Sequence, residues 1–171
     1  EMDAACVVVN LFMLPDEPDL FRQCVENISR VRASCHKYGM PLMIEPLVML
    51  PNEVRGGYQV DGDVKKIVTL VRVATEMGAD IIKADPTDNP EDFHRVVQAA
   101  RVPVLVRGGG KEDLQSVLSK SAALMAQGAS GLVYGRNVYQ HDNPKAVVNA
   151  LMAIVHRGAS GAEAWDIYHG R

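Results

Sequence analysis

Aromatic residues make up only 5% of this 171-residue chain, and its three cysteines, Cys6, Cys24 and Cys35, are odd in number and lack metal-ligand spacing. A disulfide framework and a thiolate metal centre are therefore excluded, and the expected state is a reduced compartment with buried, inert thiols. There is no excess of positive charge: the formal net charge is −3 with a pI near 5.9, so nothing draws the chain to polyanions over long range. Nucleic acid is not an expected partner, and any anion must be held by a local site. No apolar run is long enough to span a bilayer, and Glu1-Met2-Asp3 lacks the basic-then-apolar pattern of a signal peptide. The expectation is a cytoplasmic protein without a membrane association.

What is present is enough apolar material for one core. With 47% hydrophobic and 23% charged residues, the sequence reads as one globular domain over residues 1–171. Five short apolar runs recur at Ala5–Leu11, Pro41–Val48, Ala79–Ala84, Val102–Val106 and Gly131–Tyr134, separated by longer amphipathic stretches. That alternation predicts a parallel α/β fold with both sheet faces covered. Helix starts are marked by Pro18-Asp19, by Asp61 or Asp63, by Asn89-Pro90, by Lys111-Glu112-Asp113 and by Asn143-Pro144, with a last short helix over Ala162 to Tyr168. Five units are too few for a closed eight-stranded barrel, which takes about 250 residues. An open doubly wound sheet and the C-terminal part of a barrel both fit.

Every unusual polar residue falls where a strand meets its following loop, which is where parallel α/β folds gather their chemistry. Lys83 ends the run Ile81-Ile82-Lys83. An ammonium is costly to bury, and holding a lysine neutral at pH 7 takes roughly 4.6 kcal/mol of differential interaction. Desolvation and the cations Arg107 or Arg136 suit that task, and a neutral lysine attacks carbonyl carbon. A strand-end lysine alone more commonly snorkels to solvent or pairs with a carboxylate such as Asp85 or Glu45. Glu45 occupies the matching position one strand earlier, before Pro46, which is expected to fix a turn. Its carboxyl suits acid and base work around an amine-bound carbonyl, and equally suits an ion pair with Lys83.

Arg107-Gly108-Gly109-Gly110 and Gly135-Arg136-Asn137 follow the last two strands. Glycines let backbone N–H groups point at an anion, and a guanidinium adds a phosphate-matched fork. Two such loops in succession match the phosphate site of barrel enzymes. Asn10 and Asp85 stand at strand ends near this set, with turn capping before Pro86 the expected role of Asp85. The five histidines, His36, His94, His141, His156 and His169, are scattered, and no His or Cys cluster suggests a metal. The stripe Val147, Leu151, Ile154, Val155 reads as a core face.

The series Ile44-Glu45-Pro46, Ile82-Lys83, Arg107-Gly108-Gly109-Gly110 and Tyr134-Gly135-Arg136-Asn137-Val138-Tyr139-Gln140 resembles the class I, Schiff-base aldolase superfamily of (β/α)8 TIM barrels. The similarity lies nearest the branch of archaeal-type fructose-bisphosphate aldolases and the phospho-autoinducer thiolase. The resemblance implies that this chain holds strands 4 to 8 of such a barrel, with Lys83 as the imine former on strand six. It implies phosphate loops at Arg107, Gly108 and Gly109 and at Gly135 and Arg136, while Asn10 is expected to reach the substrate from its strand end. The archaeal-type enzymes carry a tyrosine near the end of strand five, where this chain has Leu47. Glu45-Pro46 is instead similar to the Glu-Pro of animal-type and tagatose-bisphosphate aldolases, in which the glutamate is the acid/base.

A metal- and cofactor-independent lyase acting on a phosphorylated ketose or triose phosphate is implied, along with a homo-oligomer, as in relatives that form rings of ten. Coenzyme A-dependent acyl transfer, as in the thiolase relative, and a non-catalytic sugar-phosphate-binding partial barrel are the alternatives. The family also has three earlier βα units and a first-strand aspartate that assists imine chemistry. Nothing here stands in for them, so those units are expected to precede this sequence or to come from another polypeptide.

Overall fold

The computed structural model describes residues 3–171, so the part of the N-terminal expectation that rests on Glu1 and Met2 lies outside the described residues. Its core is a parallel sheet of strands β1 (Val7–Met13), β2 (Leu42–Pro51), β4 (Ile81–Ala84), β5 (Val104–Arg107) and β6 (Gly131–Val133), in that spatial order. Strand order follows chain order without reversal. A doubly wound sheet reverses at its switch point and this sheet does not, so the topology is that of a barrel segment.

Helices α1 (Pro18–Tyr38), α2 (Val64–Glu76), α3 (Phe93–Ala100) and α4 (Leu114–Ala126) connect the parallel strands. A single turn α5 (Arg136–Tyr139), then α6 (Pro144–Arg157) and α7 (Gly161–Tyr168), close the chain. Their boundaries follow the predicted caps. Asp63 accepts from the backbone N–H groups of Lys65 and Lys66, Asp113 from that of Ser116, and Asn143 from that of Ala146. Gly39 ends α1 with φ 63°, a left-handed stop that a residue with a Cβ resists. Asp61, the other candidate start for α2, is instead a buried ion-pair partner of Lys66 at 2.6 Å.

Two hydrophobic clusters result. The larger one lies between the sheet and α1 to α3 and includes Leu11, Ile28, Ile44, Leu70, Ile82, Phe93 and Val104. The smaller one joins Leu118 of α4 to Val147, Leu151 and Ile154 of α6 and Ala164 of α7, which is the core face expected for the α6 stripe. Cys24 and Cys35 are buried as expected, whereas Cys6, preceding the edge strand β1, is only partly covered.

One expectation about the second strand fails. Pro46 makes no turn: β2 runs five residues past it to Pro51 and pairs antiparallel with a short strand β3 (Tyr58–Val60), which the sequence reading missed. The physical reason lies in the ladder. Pairing of β2 with β4 covers only Met43↔Ile81 and Ile44↔Ile82, so at Pro46 there is no β4 neighbour to miss its absent N–H. The hairpin closes through Gly56 and Gly57, both with φ above 70°, and through the Asn52 side chain, which accepts from the Arg55 N–H.

Candidate active site

Strand register brings the candidate residues together. Asn10 lies opposite Glu45, Ile44 opposite Ile82, and Lys83 opposite Leu105, so Glu45 and Lys83 share one face at neighbouring positions. Asp85, the residue that follows the end of β4, meets Arg107 from β5. Lys83 Nζ donates to Glu45 Oε2 at 2.9 Å, with the two side chains 18% and 10% exposed. Arg107 Nε donates to Asp85 Oδ1 and stands 3.5 Å from Glu45 Oε1. Four alternating charges therefore run Lys83, Glu45, Arg107, Asp85 across three strands.

Asp85 is the most buried member of this array. Burial, the largest influence, pushes the Asp85 carboxyl above the ordinary aspartate range, with the Arg107 hydrogen bond working against it. Among the described residues, Asp85 Oδ2 is the one buried side-chain polar atom without a hydrogen-bond partner. Asp85 is thus not a turn cap, as the sequence reading expected, but a member of the charge array.

The two glycine loops are joined to each other. Arg136 donates to the Gly109 carbonyl at 3.2 Å, Lys111 donates to the Gln140 carbonyl at 3.0 Å, and the Glu112 N–H donates to Asn137 Oδ1 at 3.0 Å. Asn137 is buried by this arrangement and had no assigned role from sequence. Tyr134 was likewise missed; burial raises its phenol above the usual tyrosine range, and its hydroxyl lies 2.9 Å from Ser121 Oγ on α4. A cavity of about 380 Å³ opens beside the loops, lined by Arg107, Gly108, Gly109, Thr87, Tyr134 and Asn137 among others.

Two of the expected anion contacts change. The Gly108 N–H donates to the Val133 carbonyl at 2.9 Å, continuing the β5–β6 ladder, so it does not face an anion. What Gly108 supplies is clearance: a Cβ there would stand 2.9 Å from Tyr134 Cδ1. Arg107 Nε is given to carboxylates and not to the loop. Gly109, Gly110, Gly135 and Arg136 remain exposed at the strand ends. Asn10 is exposed on β1 beside Glu45, with no hydrogen bond to the charge array. Among the described residues, no three His, Cys, Asp or Glu side chains gather as metal ligands, and no helix is long and apolar enough to cross a membrane.

This sheet order, with a part-buried lysine–carboxylate pair and glycine loops at the strand ends, defines a segment of an aldolase-type barrel. The chain superposes on the crystal structure of an archaeal fructose 1,6-bisphosphate aldolase with a TM-score of 0.77 and 27% identity, covering 90% of this chain and 58% of that one. A structure from a study of Schiff-base-forming fructose-1,6-bisphosphate aldolase intermediates matches with a TM-score of 0.78 and 27% identity, covering 90% of this chain and 59% of that one.

The chain belongs to the DeoC/LacD family of aldolases, whose model matches residues 1–141. An uncharacterized aldolase of Saccharolobus solfataricus is 35% identical over 141 residues, 82% of this chain and 50% of the relative. A 3-hydroxy-5-phosphonooxypentane-2,4-dione thiolase of Shigella flexneri is 32% identical over 146 residues, 85% of this chain and 53% of the relative. The chain spans about half the length of these curated relatives.

Proposed function

We propose that this chain carries the imine-forming machinery of a class I aldolase that makes or breaks a carbon–carbon bond in a phosphorylated ketose. The observation that carries the reading is the 2.9 Å contact between Lys83 Nζ and Glu45 Oε2 at the ends of adjacent parallel strands. A proton passing from Lys83 to Glu45 leaves a lone pair on nitrogen and an acid beside it. The amine adds to the ketone carbon, Glu45 returns the proton to the departing hydroxyl, and water leaves as the iminium forms. The iminium then accepts the electron pair of the breaking carbon–carbon bond, while Glu45 takes the proton of the hydroxyl whose carbon becomes the aldehyde.

The phosphate is assigned to the backbone N–H groups of Gly109 and Gly110 and to the Arg136 guanidinium. These groups hold the far end of a ketose or triose phosphate so that its carbonyl stays over Lys83. Incubation of the folded chain with fructose 1,6-bisphosphate or dihydroxyacetone phosphate and borohydride should leave a reduced adduct on Lys83, read by peptide mass, and none in Lys83→Arg. A folded chain that binds the ketose phosphate without an adduct would instead be a sugar-phosphate-binding segment.

A thiolase-like reading is favoured by the relatives that carry that name. Product analysis with and without coenzyme A separates the two, since aldol cleavage proceeds unchanged without the thiol.

A further inference from the structure

The aldol reading uses Lys83 and Glu45 and leaves Asp85 and Arg107 without a task, although they are tied into the same array. Three facts single out Asp85. It is 3% exposed, its Oδ1 holds Arg107 Nε, and its Oδ2 has no partner although it is buried. An unsatisfied buried carboxylate oxygen is costly and is not explained by packing. Arg107, in turn, has two carboxylates to choose between through one nitrogen: Asp85 closely, and Glu45 at 3.5 Å.

We propose that Asp85 is a positioning residue for Lys83 that acts through Arg107: by holding the guanidinium back, it leaves the Glu45 carboxylate free to serve as the proton partner of the Lys83 amine. The proposal rests on the reading of Lys83 as the imine former.

Few groups face Lys83. Glu45 comes from β2, Asp85 from the loop that leaves β4 and Arg107 from β5, while β1 offers the neutral Asn10 and β6 the apolar run Gly131–Val133. With Asp85 charged, Arg107 is held mostly by Asp85 and Glu45 stays on Lys83. With that charge removed, Glu45 becomes the only carboxylate left to Arg107, and its hold on the ammonium slackens. With Arg107 removed instead, Glu45 belongs wholly to Lys83, and Asp85 adds a second uncompensated negative charge two residues away. The two changes act on the Lys83 amine in opposite directions, which a purely structural role would not produce.

The measurement is competitive acetylation of the full chain at one pH, reading Lys83 against the exposed Lys145 of α6 by peptide mass. Asp85→Asn, which keeps shape and changes charge, should raise the Lys83 to Lys145 ratio by about fivefold, and Arg107→Gln should lower it by about as much, the scale of one unit charge at short range. Arg107→Lys, which keeps the cation, should stay near the parent ratio. An unchanged ratio in Asp85→Asn, a shift of the same sign in it and in Arg107→Gln or a large shift in Arg107→Lys would overturn the proposal. So would an Asp85→Asn chain that fails to fold, because the carboxylate would then serve folding. Labelling uses no ketose, so opposite shifts without a borohydride adduct would remove the aldol reading and leave the charge array standing, and an adduct without shifts would do the reverse.

Discussion

Glu45 is the residue on which the proposed chemistry turns, because a lysine beside a permanent carboxylate is an ion pair until that carboxylate takes a proton. Glu45→Gln keeps a hydrogen-bonding side chain and removes the proton carrier, so the rate of adduct formation at Lys83 should fall by about 10²–10⁴, measured by quenching with borohydride over time. A rate unchanged within experimental scatter would sink the acid/base role. Glycines in the loop that follows β5 separate in the same way by what they touch. Gly108→Ala drives a Cβ to 2.9 Å from Tyr134 Cδ1 and 3.1 Å from Tyr134 Cα, whereas nothing lies within 4 Å of the Cβ position at Gly109. Overpacking of that kind costs about 1–3 kcal/mol, so Gly108→Ala should lower the denaturation midpoint and Gly109→Ala should leave it nearly unchanged. Equal midpoints would show that the loop gives way freely.

At the scale of elements, stability at the C-terminal end depends on caps that the sequence announces. Ser160 accepts from the Glu163 N–H while Glu163 accepts from the Ser160 N–H, a complete capping box at the start of α7. The Ser160 bonds, backbone first, hold the Glu163 carboxyl below its ordinary value, and the Ser116 bonds hold Asp113 below its own at the start of α4. For a carboxyl depressed in the folded state, the stabilisation is complete above the unfolded value and is lost as pH falls through the folded one. Ser160→Ala should lower Tm by about 2–4 °C near neutrality, and the gap to the parent should narrow as pH falls through the depressed value of the parent's Glu163 carboxyl, where the charged acceptor is lost. Parallel Tm curves from pH 6 to 3 would sink this account. The caps at Asp63, Asp113 and Asn143 were legible from sequence because a side chain bonds a backbone N–H two or three residues away, whereas the Ser160 box was not read. The five parallel strands were legible for the same local reason, as β-branched apolar runs. Contacts that depend on register were not: Asp85 against Arg107, Tyr134 against Ser121 and the Glu112 N–H against Asn137 each join elements whose alignment no local spacing sets. The β3 hairpin left only the Gly56-Gly57 signal, and Pro46 read as a turn because its missing N–H weakens a ladder, while the end of the β2–β4 pairing before it is set by register.

Across the whole molecule, the sheet grades from edge to centre, and the charge array sits at the centre. Among the described residues β1 and β6 each pair with one strand, whereas β2, β4 and β5 are paired on both sides. On the face that carries Glu45, β1 is open, with Val8 47% exposed, while Met43, its partner on β2, is buried. Local opening follows such differences, because a strand held by one ladder and a half-covered face separates at less cost than one held by two ladders under a closed core. Opening of β1 would uncover the β1 side of the buried Glu45 without parting β2 from β4, whereas opening of β4 would require the sheet to part on both sides of Lys83. The graded stability predicts an order in native-state hydrogen exchange. Amides of β1 and of Gly131–Val133 should exchange first, and those of Ile82 to Ala84 and Val104 to Val106 last, near the global unfolding limit. Raising denaturant below the transition should speed the first set little and the second strongly, because only the second set opens by exposing the main core. If β1 amides instead exchanged as slowly as those of β4 in the isolated chain, its open face would have to be covered by other protein, and light scattering on the same sample would report the added mass.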